Sequence, residues 1–177
     1  ATLDLARHFS TAGHRVIGVE HWRCHLSRPS NAFSCWYTIP APLTDRLAFE
    51  SELLDIVRRE LVDLLIPTCE EVFHIARAYA KLSEHCTVFC ASLDVLRGLH
   101  SKFTFNQSAR DLGLPAPDTW LVTDRDQLLD FLHVAGPDLV FKPEYSRFAT
   151  HVVIGPRTGR DVDQIAPTPE NAWVVQE

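Results

Sequence analysis

Lys142 closes the apolar run Leu139-Val140-Phe141 and is followed at once by Pro143, and Ser146-Arg147 then precede a second apolar run, Val152-Val153-Ile154. The two runs read as short strands, and the residues between them as a polar loop. A lysine at a strand end supplies a point charge, and a short loop beside it supplies backbone N–H groups, a hydroxyl and a guanidinium. That set of donors suits a phosphate chain. The same pattern also describes a hairpin with a surface lysine, and for this segment taken alone the hairpin is the preferred reading. Other groups capable of chemistry are less concentrated. Glu70-Glu71 follow the apolar run Leu64-Leu65-Ile66, where carboxylates line the ligand crevice of a parallel sheet or, the preferred reading, cap the next helix. Glu20 follows Val16-Ile17-Gly18-Val19, where an acid can hold a ribose hydroxyl, but the chain has no Gly-x-Gly-x-x-Gly to accompany it. His21, Cys24 and His25 are the one cluster that resembles metal ligands, and no second cluster at zinc spacing supports it.

The elements that must position these residues alternate along the first half of the chain. Leu3, Ala6, Phe9 and Ala12 recur at helical spacing and Gly13 suits a helix stop. Strands are expected at Val16–Val19, Trp36–Ile39, Leu64–Ile66 and Thr87–Cys90, and helices at Phe49–Leu61 and Val72–Leu82. Short, nearly all-apolar strands separated by helices imply a parallel sheet covered on both faces. Since the first visible element is a helix, an opening strand is expected upstream of Ala1. Beyond Ser92 the pattern changes. A helix is expected over Leu93–Leu112, then the break Gly113-Leu114-Pro115-Ala116-Pro117, a strand at Trp120–Val122, a helix over Asp124–Val134, the two runs around Lys142, a polar stretch over 155–171, and a last strand at Trp173–Glu177.

Composition narrows the class. With 46% hydrophobic and 23% charged residues the chain is an ordinary globular sequence. Its net charge of -6 gives no electrostatic argument for nucleic acid or an anionic membrane, and no apolar run is long enough to span a bilayer. Five cysteines, an odd number without a Cys-x-x-Cys pair, fit reduced thiols and a cytoplasmic setting.

Taken in order, Lys102, Asp111-Leu112-Gly113-Leu114-Pro115-Ala116-Pro117, Leu139-Val140-Phe141-Lys142-Pro143, Tyr145-Ser146-Arg147 and Trp173-Val174-Val175-Gln176-Glu177 resemble the ATP-grasp superfamily. The resemblance covers most of the chain and is most specific from Ser101 to Glu177. It implies a fold of class α/β: a pre-ATP-grasp doubly wound parallel sheet over residues 1–92, a linker helix over 93–114, and a small α+β ATP-grasp N-terminal subdomain over 115–177. It implies ATP as cofactor, with Lys102 and Lys142 on the phosphates, Ser146 and Arg147 in the loop over them, and Gln176 and Glu177 in the hinge beside the adenine. Phe148-Ala149 stand where the family often has glycines, a departure that bears on how closely the loop backbone approaches the phosphates. Arg147 binds a phosphate or pairs with Glu144. Mg²⁺ is implied too, with ligands expected beyond Glu177, so the catalytic residues are not assigned.

The activity so implied is that of an ATP-dependent ligase, which activates a small-molecule carboxylic acid as an acyl phosphate for attack by an amine or similar nucleophile. The 177 residues alone are expected to be inactive. The alternatives are a non-catalytic nucleotide-binding module and a Rossmann-type dinucleotide-binding domain. No nucleic acid or membrane partner is expected.

Overall fold

The computed structural model describes residues 2–134, 139–147, 151–156 and 159–177. The chain divides into two compact units, Ala1–Leu93 and Asp94–Glu177.

The first unit holds helices α1 (Thr2–Thr11), α2 (Arg46–Arg59), α3 (Val72–Arg77) and α4 (Tyr79–Leu82), with strands β1 (Ile17–Glu20), β2 (Cys35–Thr38), β3 (Leu64–Leu65) and β4 (Thr87–Val88). The strands pair in parallel, as their apolar composition implies, but in two ladders, β1 with β2 and β3 with β4. One core serves both ladders. Phe49, Leu53, Ile56 and Val57 of α2 are buried with Ile75, Leu82 and Val88, and Val19, Tyr37 and Leu65 pack against them. The helix expected over Val72–Leu82 is interrupted at Ala78, which ends α3 and begins α4.

Side-chain chemistry fixes the ends of α2. Asp45 caps its N-terminus by accepting the Ala48 N–H at 3.0 Å. At its C-terminus Glu60 accepts hydrogen bonds from Tyr37 Oη and from Arg15, each at 2.5 Å, while the Arg59 guanidinium lies 4.8 Å from the centre of the Tyr37 ring. Gly18 faces Trp36 in the β1–β2 register. A Cβ on Gly18 would lie 2.2 Å from the Trp36 ring, so a strand position that normally carries a side chain must be glycine here.

The second unit begins with α5 (Leu93–His100) and α6 (Lys102–Asp111). The single helix expected over Leu93–Leu112 is therefore two. Ser101 breaks it by adopting an extended backbone (φ -65°, ψ 120°), from which its Oγ accepts the Thr104 N–H and caps α6. The unit continues with β5 (Thr119–Val122), α7 (Arg125–Val134), β6 (Val140–Pro143), β7 (Val153–Ile154), α8 (Gly159–Asp163) and β8 (Trp173–Gln176). Helix α8 lies in the stretch expected to be merely polar; five residues carry too little periodicity to announce a helix.

The four strands form one antiparallel sheet in the order β5-β8-β6-β7. Pro143, a residue type that ordinarily stops a strand, is the last residue of β6 and pairs with Trp173, a terminal position where its missing N–H is tolerated.

Because side chains alternate across a strand, the register assigns each face. Val122, Phe141, Val153, Trp173 and Val175 point to one face, where they are buried with Leu128 of α7 and Ile165. Thr119, Leu121, Lys142, Val174 and Gln176 therefore share the other face.

Candidate functional site

The second face of the β5–β8–β6–β7 sheet carries the polar residues singled out above. Lys142 is half-buried on β6 and its Nζ donates to Gln176 Oε1 on β8 at 2.7 Å. Gln176 Nε2 in turn donates to Thr119 Oγ1 on β5 at 2.9 Å, and Thr119 Oγ1 donates to Pro117 O at 3.1 Å. A polar chain thus runs across three neighbouring strands. It fixes which way the Gln176 amide points: with Thr119 accepting from the nitrogen, the oxygen is left for the lysine. Of the three Lys142 ammonium protons, this bond uses one. Pro117 O also accepts from Asn106 Nδ2 at 3.0 Å and from Arg110 at 2.8 Å, which ties the break after α6 back onto that helix.

Lys102, the first residue of α6, is placed beside the end of β6. Its Nζ donates to Pro143 O at 3.0 Å, Glu144 O at 3.1 Å, Ser146 O at 3.0 Å and Ser146 Oγ at 3.0 Å. Its pKa is held below the ordinary lysine value, first by burial and then by the positive charge of Lys142, with Glu144 opposing. The Lys142 ammonium is therefore close enough to disfavour the charge on Lys102, a situation that an incoming anion relieves.

The loop is docked from both sides. Ser101, fully buried, donates to Glu144 Oε1 at 2.5 Å, Lys102 N–H donates to Glu144 O at 3.3 Å, and Glu144 N–H donates to Ala172 O at 2.8 Å. Ser146 is half-buried in this arrangement and Arg147 is exposed. The Glu144 carboxylate, considered above as the partner of Arg147, is bonded to Ser101. Phe148 and Ala149 lie outside the described residues. Glu177 is exposed just past β8, with its N–H donating to Asp118 O at 3.2 Å.

Of the six residues proposed from sequence, the structure gathers Lys102, Lys142, Ser146 and Gln176 into hydrogen-bonded contact along β6 and its loop. Ser101, Thr119 and Glu144 belong to the same arrangement and were not foreseen. The cap signal at Ser101 was hidden inside an apparently continuous helix, and the role of Thr119 needs the knowledge that β8 lies between β5 and β6. An open groove of about 580 Å³ lies along the β5 edge, walled by Phe103, Gln107, Trp120 and Phe131 among others. Neither Lys102 nor Lys142 lines it.

The other candidates have local partners. Glu20 Oε1 accepts from His21 N–H at 2.8 Å and lies 2.7 Å from His21 Nδ1. Glu71 Oε1 accepts from the Thr68 and Cys69 N–H groups at 2.7 and 3.0 Å, so it caps the turn that leads into α3. His25 packs on Trp36 with ring centres 4.2 Å apart. Among the described residues no group of three or more His, Cys, Asp or Glu side chains could hold a metal ion, and no helix is long and apolar enough to cross a membrane.

No protein-family model matches the chain, and no curated protein sequence does. Solved structures do. The biotin carboxylase domain of the Hydrogenobacter thermophilus 2-oxoglutarate carboxylase, in complex with MgADP, ADP and bicarbonate, superposes with a TM-score of 0.72 at 11% identity, over 97% of this chain and 40% of that one. N5-carboxyaminoimidazole ribonucleotide synthetase from Thermus thermophilus gives 0.65 at 14% identity, over 99% and 43%. L-amino acid ligase from Bacillus licheniformis gives 0.63 at 15% identity, over 97% and 40%. The chain spans about two fifths of the length of these structures. The helix-and-strand unit with parallel ladders and the antiparallel sheet that follows it thus share the fold of about two fifths of each of these structures.

Proposed function

We propose that the second unit binds the phosphates of ATP, and that the chain is the N-terminal portion of an ATP-dependent ligase. The observation that carries this reading is the pair of ammonium groups of Lys102 and Lys142 at the end of β6, close enough for one to lower the pKa of the other. Among the described residues the Lys142 ammonium donates to Gln176 alone, and it is the direct phosphate contact in this reading. Ser146 and Arg147 form the loop beside the phosphates, and Gln176-Glu177 approach the adenine from the β8 end.

The ligase chemistry in this reading joins an acid to an amine through an acyl phosphate. The role of these residues is to position and neutralise the phosphates, which is most of what phosphoryl transfer asks of a protein. Mg²⁺, when bound, would supply further positive charge to neutralise the phosphates. Among the described residues no group of three or more His, Cys, Asp or Glu side chains is suited to hold it. The acid and the nucleophile are small molecules, and the five cysteines, all free thiols, fit a cytoplasmic setting.

Calorimetric titration of the chain with a non-hydrolysable ATP analogue tests the reading. Saturable binding that ADP competes away and that weakens with added salt supports it. Absence of binding at millimolar analogue rejects it.

A further inference from the structure

The two lysines are bonded in different ways, and the difference separates their roles. Lys142 donates to one side chain. The Lys102 ammonium is enclosed by three backbone carbonyl oxygens and a hydroxyl, all from Pro143, Glu144 and Ser146. An ammonium has three protons, so these acceptors already use its full donor capacity. The Ser146 hydroxyl completes the cage by donating to Pro143 O at 3.3 Å. Three carbonyl dipoles aimed at one point repel one another unless a cation sits between them. The turn after β6 thus depends on a charge delivered by α6, and the buried cap Ser101 holds that helix end against Glu144.

We propose that Lys102 is a positioning residue: in the nucleotide-free chain its ammonium latches the Pro143–Ser146 turn in place beside Lys142, and through that turn it shapes the phosphate site. The phosphate part rests on the ATP-binding reading. The latch itself does not, and it is tested without nucleotide.

The experiment is amide hydrogen exchange on the nucleotide-free chain. Lys102→Met removes every hydrogen bond that the ammonium makes to the turn and should speed exchange at the amides of Glu144 to Arg147 by at least about tenfold, the factor that one ordinary hydrogen bond supplies, and leave β5 and β8 unchanged. Lys142→Met should leave the turn unchanged. Lys102→Ala should regain protection when ethylammonium is added, and not when tetramethylammonium, which has no N–H, is added. A merely structural lysine stem would show no such discrimination. In the wild-type chain, the Lys102 ammonium proton resonance should exchange with water more slowly than those of exposed lysines, a readout that needs no variant to fold.

Unchanged turn exchange in folded Lys102→Met, failure of ethylammonium to restore protection, or a freely exchanging Lys102 ammonium would each overturn the latch. Loosened exchange in a chain that binds no nucleotide leaves the latch standing and removes the ATP reading. Weakened nucleotide affinity with an unaltered turn makes Lys102 a direct ligand and removes the latch.

Discussion

Replacing Lys142 by Met tests the chemistry most directly, because the substitution keeps an unbranched apolar stem of similar reach and removes only the ammonium. In the free chain the loss is one hydrogen bond, from Lys142 Nζ to Gln176 Oε1 at 2.7 Å. Lys142 is half-buried, so water can replace its donor, and the stability cost should stay within about 1 kcal/mol. The Gln176 amide remains anchored through its nitrogen to Thr119, which should keep the β8 end in place. With nucleotide present the loss is larger. A charge-assisted hydrogen bond to a phosphate oxygen contributes about 1.5–3 kcal/mol, which corresponds to a dissociation constant raised by roughly tenfold to a hundredfold. Titration calorimetry with a non-hydrolysable ATP analogue reads this, and the variant should also show a shallower dependence of affinity on salt, because it carries one fewer cation. Equal affinity in a Lys142→Met chain with a native near-ultraviolet spectrum would refute the reasoning.

Three further outcomes follow from the packing. Ser101→Ala removes the α6 cap and strands a Glu144 oxygen, and should lower the urea-unfolding stability of the second unit by about 1–2 kcal/mol; a midpoint equal to wild type would show the cap to be idle. Gly18→Ala forces a methyl into the Trp36 ring and should cost about 1–3 kcal/mol, visible as an earlier thermal transition with altered tryptophan fluorescence. The Glu60 carboxyl is held below the usual carboxylate range by hydrogen bonds from Tyr37 and then Arg15, so its stabilisation is fully present above the ordinary glutamate value and is lost as pH falls through the depressed one. Glu60→Gln should therefore narrow the stability difference between neutral and acid solution, and a denaturation series whose pH slope matches wild type would count against it.

The alternation of apolar strands and helices was readable because burial on two faces leaves a continuous hydrophobic run, as at Leu64-Leu65-Ile66. Lys142 and Gln176 stood out because each sits at the end of such a run. What stayed hidden depends on contacts distant in sequence. Ser101 looks like a helical residue until the Glu144 carboxylate that it bonds, 43 positions later, is in view. Lys102 was read as a phosphate ligand from its place in a motif, while the carbonyls that enclose it belong to a turn whose backbone direction no residue type announces. The split of the parallel strands into two ladders is likewise a property of pairing, invisible in strands whose composition is alike.

The position of β8 has a consequence for how this unit comes into being. It is the last strand in chain order, yet it lies between β5 and β6 and supplies ladders to both. Until Trp173–Gln176 leave the ribosome, β5 and the β6–β7 hairpin have no shared partner, and Phe141 and Val122 have no common floor to close over. The ladders described for the first unit are both made by Val88. During synthesis the nascent chain therefore carries the first unit followed by some eighty residues with exposed strand edges, the interval in which chaperones or premature pairing compete for it. Because Gln176 lies on β8, Lys142 also acquires this partner only after that strand has been made.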